Sequence, residues 1–136
     1  MTPEGMTARP SPYGPQETMD RVAAAVTSRG IGILARIDHA AAAAKVGLEL
    51  RPTEVLIFGN PKAGTPLMQA AQTIGIDLPL RALVWQDAAG KTWLAYNDPQ
   101  WLARRHGIDQ GTERIVGAMA AALAAIAQEA TTGSPP

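Results

Sequence analysis

The sequence contains no cysteine. That excludes disulfides, thiolate-bound zinc, iron–sulfur clusters and a cysteine nucleophile, and it leaves the redox compartment open, because a chain without thiols is stable in either. Aromatic residues are scarce at 4%, with a single phenylalanine. Trp85, Trp93 and Trp101 are therefore expected as the large pieces of a core or a dimer interface rather than as a cofactor box. Net charge is also missing: twelve basic residues balance twelve acidic ones, so no global field draws in nucleic acid or an anionic membrane. Basic and stacking aromatic positions do not interleave, which removes the usual single-stranded nucleic-acid pattern. No apolar run approaches the roughly 20 residues that cross a bilayer. The first fifteen residues, MTPEGMTARPSPYGP, hold four prolines and no apolar stretch of the signal-peptide kind, so a cytoplasmic location is the expectation. Gly-x-Ser-x-Gly, His-Glu-x-x-His and dinucleotide-binding patterns are absent as well.

What remains is a chain of 136 residues, 46% apolar and 18% charged, the size and composition of one soluble globular domain. Met19, Val22, Ala23 and Val26 recur at helical spacing between Gln16 and Arg29, and Gly30 follows as a left-handed cap. Ile31, Ile33, Ala35 and Ile37 alternate with Gly32, Leu34 and Arg36, which predicts a strand. Asp38 suits the N-cap of a short helix from His39 to Val46, ended by Gly47. Thr53 to Phe58 predicts a buried central strand, and Leu67 to Thr73 a modest helix. Leu80 to Gln86 and Lys91 to Tyr96 flank the turn DAAG as a hairpin. Asp98, Pro99 and Gly107 bracket another helix, and Ile115, Val116, Met119, Leu123 and Ile126 stripe a last one from Thr112 to Gln128. This order predicts an α+β two-layer domain, helices packed on a mainly antiparallel sheet.

The stretch FGNPKAGTPLMQA, Phe58 to Ala70, invites comparison with a phosphate loop. Gly59 and Gly64 have the Walker A separation, but Thr65 and Pro66 stand where Lys-Ser/Thr is required, and Lys62 lies inside the turn. A weaker anion site remains conceivable on sequence grounds. Thr65 as N-cap and Pro66 as first helical residue would turn the amides of Leu67 and Met68 outward, with Lys62 adding positive charge above them. The plain alternative is a turn built by Asn60, Pro61, Gly64 and Pro66, with Lys62 solvated at its tip.

The blocks FGNPKAGTPLMQA, LRPTEVLIFGN, IDLPLRALVW, LAYNDP and LARRHGI, in this order over nearly the whole chain, resemble the Domain of Unknown Function 302 family. The resemblance implies a compact α+β domain with a β-α-β core, homodimers, and an additional first strand near Gly5 to Arg9. It implies no established reaction. Some relatives carry cysteine in the turn and before the later strands, where this chain has Gly59 and Leu80, so no thiol chemistry carries over. The expected organisation is an unstructured 1–4, a single domain over 5–129 and an unstructured tail over 130–136.

Further candidate residues stand beside these elements. His39 and His106 are the only histidines, each at a helix end, and could act in acid–base catalysis or ligate a metal or haem with help from Asp38 or Asp98. Each could equally be an ordinary helix-terminal residue. Tyr96 and Asn97 follow a strand and could orient a ligand, while Asp98 is already accounted for as a cap. Arg104, Arg105 and His106 with Lys62 would make either a basic rim or a solvated helix face. The leading expectation is a homodimeric binding or accessory module that takes a small anionic molecule at Asn60, Lys62, Gly64 and Thr65, with Tyr96 and Asn97. The alternatives are an enzyme or metal- or haem-binding protein using His39 or His106, and a structural partner whose apolar surface is the functional part.

Overall fold

The computed structural model describes residues 2–108 and 110–133. Five segments, Met6–Ser11 (β1), Gly32–Asp38 (β2), Thr53–Gly59 (β3), Leu80–Gln86 (β4) and Thr92–Asn97 (β5), all but the first rich in aliphatic or aromatic residues, pair into one sheet of order β1-β5-β4-β3-β2, every neighbouring pair antiparallel. The helices are Pro15–Ser28 (α1), His39–Lys45 (α2), Pro61–Ala70 (α3), Pro99–Arg105 (α4) and Glu113–Thr131 (α5), with a 3₁₀ turn at Gln72–Ile76. The α+β architecture expected from the sequence is the one observed. β1, implied by the family resemblance, forms the edge of the sheet against β5.

Directly opposed residues in an antiparallel pair point to the same side of the sheet. The register therefore groups Leu56 and Phe58 with Leu80, Ala82 and Val84, and these with Leu94 and Tyr96. This inner side meets Met19, Val22 and Val26 of α1 and Leu123, Ile126, Ala127 and Ala130 of α5 in the main core. A second cluster joins Leu67, Ile74, Leu102 and Ala103 to Val116 and Met119 of α5. The outer side carries Ile37, Val55, Ile57, Leu83, Trp85, Trp93 and Ala95, none of which belongs to either core cluster. Trp85 and Trp93 stack there with ring centroids 6.3 Å apart.

Three expectations need correction. The alternation of Ile31, Ile33, Ala35 and Ile37 does not put these residues on one face. The register shifts between Ile33 and Ala35, so Ile33 opposes Phe58 on the inner side while Ala35 and Ile37 oppose Ile57 and Val55 on the outer side. The expected tail over 130–136 starts too early, because α5 runs through Thr131 with Ala130 and Thr131 buried. Its end is pinned: Arg21 stacks over Tyr13 at 4.2 Å and donates to the carbonyls of Ala130, Glu129 and Thr132, and the Tyr13 hydroxyl also donates to Thr132. Residues 134–136 and residue 1 lie outside the described residues. At the other end the Pro3 carbonyl accepts from the Met6 amide, so residues expected to be unstructured form the turn leading into β1.

Two glycines have opposite roles and predict opposite effects. Gly5 has φ +80°, its carbonyl oxygen accepts from the Asp98 amide at 2.7 Å, and a Cβ there would overlap the Trp101 indole. Gly5→Ala should destabilise the fold by about 2 kcal/mol or more. Gly117 lies inside α5 with open space around the Cβ position, so Gly117→Ala should stabilise by about 0.5–1 kcal/mol. Denaturant unfolding measures both.

In the β4–β5 turn, Asp87 accepts from the Trp93 indole N–H and from the backbone amides of Lys91 and Ala89. These donors, the indole first, hold its carboxyl below the ordinary carboxylate value. A depressed native pKa means that the stabilisation is present above the unfolded-state value and is lost as pH falls through the native one. Trp93 fluorescence should therefore titrate with a midpoint below about 3.9. A midpoint at or above that value, or its persistence in Asp87→Asn, would contradict the hydrogen bonding.

Candidate functional site

The site begins where β3 ends. Asn60 leaves the sheet in extended conformation and caps α3: its side-chain oxygen accepts from the Lys62 amide at 3.0 Å, and its carbonyl accepts from Ala63 and Gly64 at 2.9 and 3.0 Å. Pro61 fills the first helical position, where no N–H is needed. The helix thus starts five residues before Pro66, and Thr65 is inside it rather than capping it. Asn60-Pro61 is as good a start signal as Thr65-Pro66, and it comes first along the chain. The amide hydrogens expected to face an anion are consequently not those of Leu67 and Met68, and the first three available ones are bonded to Asn60.

Asn60, Lys62, Gly64 and Thr65 nevertheless line one cavity, of about 560 Å³, together with Phe58, Leu78–Leu80 and one side of α5. Its existence follows from side-chain size. Ile115, Met119, Leu123 and Ile126 form the apolar stripe of α5, and the adjacent positions along the cavity are Ala118 and Ala122, too small to close the gap to the β3–α3 turn. Phe58, Leu123 and Ile126, each almost fully buried, form the floor. Leu34, at 62% exposure in the irregular part of β2, stands at the lip. Among the described residues, Lys62 and Arg114 are the only charged ones of the lining, both are solvent-exposed cations, and no ion pair to either occurs.

The remaining candidates lie elsewhere. Tyr96 packs against the main core, and Asn97 lines a separate polar recess of about 160 Å³ with Asp77 and Arg81. Neither joins the residue 60–65 cavity. Asp98 caps α4 by accepting from the Gln100 amide at 3.0 Å. His39 opens α2, a helix with no buried residue. His106 closes α4, where its Nδ1 pairs with the Thr73 hydroxyl at 2.9 Å and its Nε2 with Asp77, which also receives Arg105 at 2.7 Å. The two histidines share no partner among the described residues, and neither lines the cavity. Among the described residues no group of three His, Cys, Asp or Glu side chains is placed to hold a metal ion. Arg105 is engaged by Asp77, so the basic rim proposed with Lys62 is supplied instead by Arg114. Sequence reading missed Arg114, Ala118 and Ala122. The signal was present as one cation followed by small residues beside an apolar helical stripe.

Comparison with known proteins follows the same outline. Residues 7–126 match the model of the family described as "Domain of unknown function DUF302". A crystal structure of an uncharacterized conserved DUF302 protein from Bacillus stearothermophilus superposes with TM-score 0.82 at 21% identity, covering 94% of this chain and 99% of that one, which shows the fold. Among curated proteins, the chain is 49% identical over 115 residues to "Fluoride-specific ion channel FluC 1" of Brucella suis and to a protein of the same name from Brucella abortus. The match takes in 85% of this chain but 45% and 43% of those proteins, so the chain spans less than half the length of these relatives. With the family pattern running from β1 into α5 and the fold superposing over almost its whole length, the chain belongs to the DUF302 family.

Proposed function

We propose that this chain is a homodimeric binding or accessory module that takes a small anionic molecule in the cavity beside residues 60–65. The observation that carries the reading is the lining itself: an apolar cavity of about 560 Å³, within the size range of ligand sites, whose charges among the described residues are Lys62 and Arg114, with no carboxylate. The accessory role draws on the Brucella relatives named as fluoride channels, in which the matched part is less than half of the protein. No helix among the described residues is long and apolar enough to cross a membrane. A helical pore in those relatives would therefore come from the part this chain does not match, and the present domain would stand beside it on the cytoplasmic side.

The homodimer reading draws on the outer side of the sheet. Val55, Ile57, Leu83, Trp85 and Trp93 lie there half-buried, a composition that matches the centre of subunit interfaces. A two-fold axis through this face would bury the same residues of both copies. The enzyme alternative has less behind it, because His39 and His106 share no site.

Two measurements test the proposal. Thermal unfolding in the presence of small carboxylates or phosphates should shift upward, by about 2.7 kcal/mol of stabilisation at a hundredfold excess over Kd, and the shift should vanish in Lys62→Ala and shrink in Arg114→Ala. A flat response across such anions sinks the binding reading. Sedimentation at micromolar concentration should give a dimer that Leu83→Glu converts to a folded monomer, whereas a monomeric wild type removes the dimer.

A further inference from the structure

The lining of the cavity is polarised along α5. Arg114 stands in the first turn of the helix; Ile115, Ala118, Met119, Ala122, Leu123 and Ile126 follow on the same side. Twelve residues separate Arg114 from Ile126, which is roughly 18 Å at the helical rise. Lys62 lies in the first turn of α3, and among the described residues the lining between the two cations and Ile126 contains no other charge. A small compact anion would meet the cations and leave the floor of Phe58, Leu123 and Ile126 facing water. A neutral apolar molecule would fill the floor and leave the cations unused. Met68 and Met119 in the walls supply unbranched, polarisable side chains that adapt to an apolar occupant.

Resting on the anion-binding reading of the same cavity, we infer that its ligand class is the single-chain aliphatic carboxylic acids, the carboxylate at Lys62 and Arg114 and the chain along α5 toward Ile126. A carboxylate is favoured over a phosphate because the amides that cradle phosphates at a helix start are taken here by Asn60. What is left is an ammonium and a guanidinium, whose planar fork pairs with a carboxylate or a phosphate alike, so the occupied amides alone decide between the two. The exposed Leu34 is then the lip over the chain, and Ala118 and Ala122 are small because the chain occupies their space.

Calorimetric titration of the full chain with octanoate, acetate, octanol and octyl phosphate, each below its aggregation limit, tests the class. Each buried methylene contributes about fourfold in affinity, so octanoate, six methylenes longer than acetate, should bind on the order of a thousandfold tighter than acetate, about fivefold tighter than octanol, which carries no charge to meet the cations, and tighter than octyl phosphate. Ala122→Trp should cost octanoate about tenfold or more and leave acetate unchanged, with the fold checked by circular dichroism; Ala118→Leu provides the milder obstruction if the tryptophan prevents folding. Octanoate binding no tighter than acetate, with both dependent on Lys62, overturns the aliphatic class and leaves the anion site standing. Octanol binding as tightly as octanoate, with Lys62→Ala altering neither, overturns the anion reading and this inference with it. Tighter binding of octyl phosphate overturns the choice of carboxylate.

Discussion

The packing of α5 on the inner side of the sheet is the constraint from which the rest follows. α5 contributes Leu123, Ile126, Ala127 and Ala130 to the main core and Val116 and Met119 to the second cluster, so a single helix ties the sheet and α1 to α3 and α4. Alanine permits its close approach to α1, while Arg21 fixes its far end by donating to the last carbonyls, where a cation is favoured by the helix dipole. The cavity is a by-product of the same arrangement. A helix held tightly at its C-terminal half by α1 and the sheet, and at its N-terminal half by α4, leaves an opening over Phe58 wherever its side chains are too small to reach the β3–α3 turn.

The sheet is used differently on its two sides. On the inner side, the central residues Leu56, Val84 and Leu94 have almost no exposure. On the outer side, aliphatic and tryptophan side chains are only half-covered, and the Trp93 indole is tied by its N–H to Asp87 rather than sunk in a core. A sheet with one solvated side normally alternates apolar with polar residues, and β3, with Val55 and Ile57 outward, does not. That departure is the physical reason for treating the outer side as a contact surface. The shift within β2 matters to both sides, since it sends Ile33 inward and Ile37 outward and leaves Leu34 standing over the cavity.

Much of the architecture was legible in the sequence because its signals are local. Asp98-Pro99 with Gly107, Asp38 before α2, and the DAAG turn are each decided by the backbone needs of a few residues, and each appears where expected. The irregularity in β2 was not legible, because a strict alternation of isoleucines offers no cue that the partner strand requires an extra residue. The start of α3 was ambiguous in principle, with Asn60-Pro61 and Thr65-Pro66 both valid signatures. Of the cavity lining, Asn60, Lys62, Gly64 and Thr65 were singled out as candidates because they cluster in one turn. Arg114 was not, since it reaches the same cavity from an element 52 positions along the chain. The Asp77–His106 pair escaped notice for the same reason: only the folded chain brings the 3₁₀ turn to the end of α4.

Assigning the proposed anion binding to Lys62 and Arg114 rather than to backbone amides changes how selectivity would arise. Fixed amides at a helix start would hold a small anion by geometry alone, whatever its other parts. Two exposed cations cannot: charges in solvent are screened over about 8 Å at physiological ionic strength, and an exposed ion pair contributes only about 0–1 kcal/mol. Burying one methylene contributes about 0.8 kcal/mol, so a few of them outweigh the head group. For the ligand class proposed for this cavity, the apolar floor would therefore set affinity and the cations direction, deciding which end of the molecule enters first. The residues that would most control recognition are then Ala118 and Ala122, whose lack of bulk is their contribution, rather than the lysine that first draws attention in the sequence.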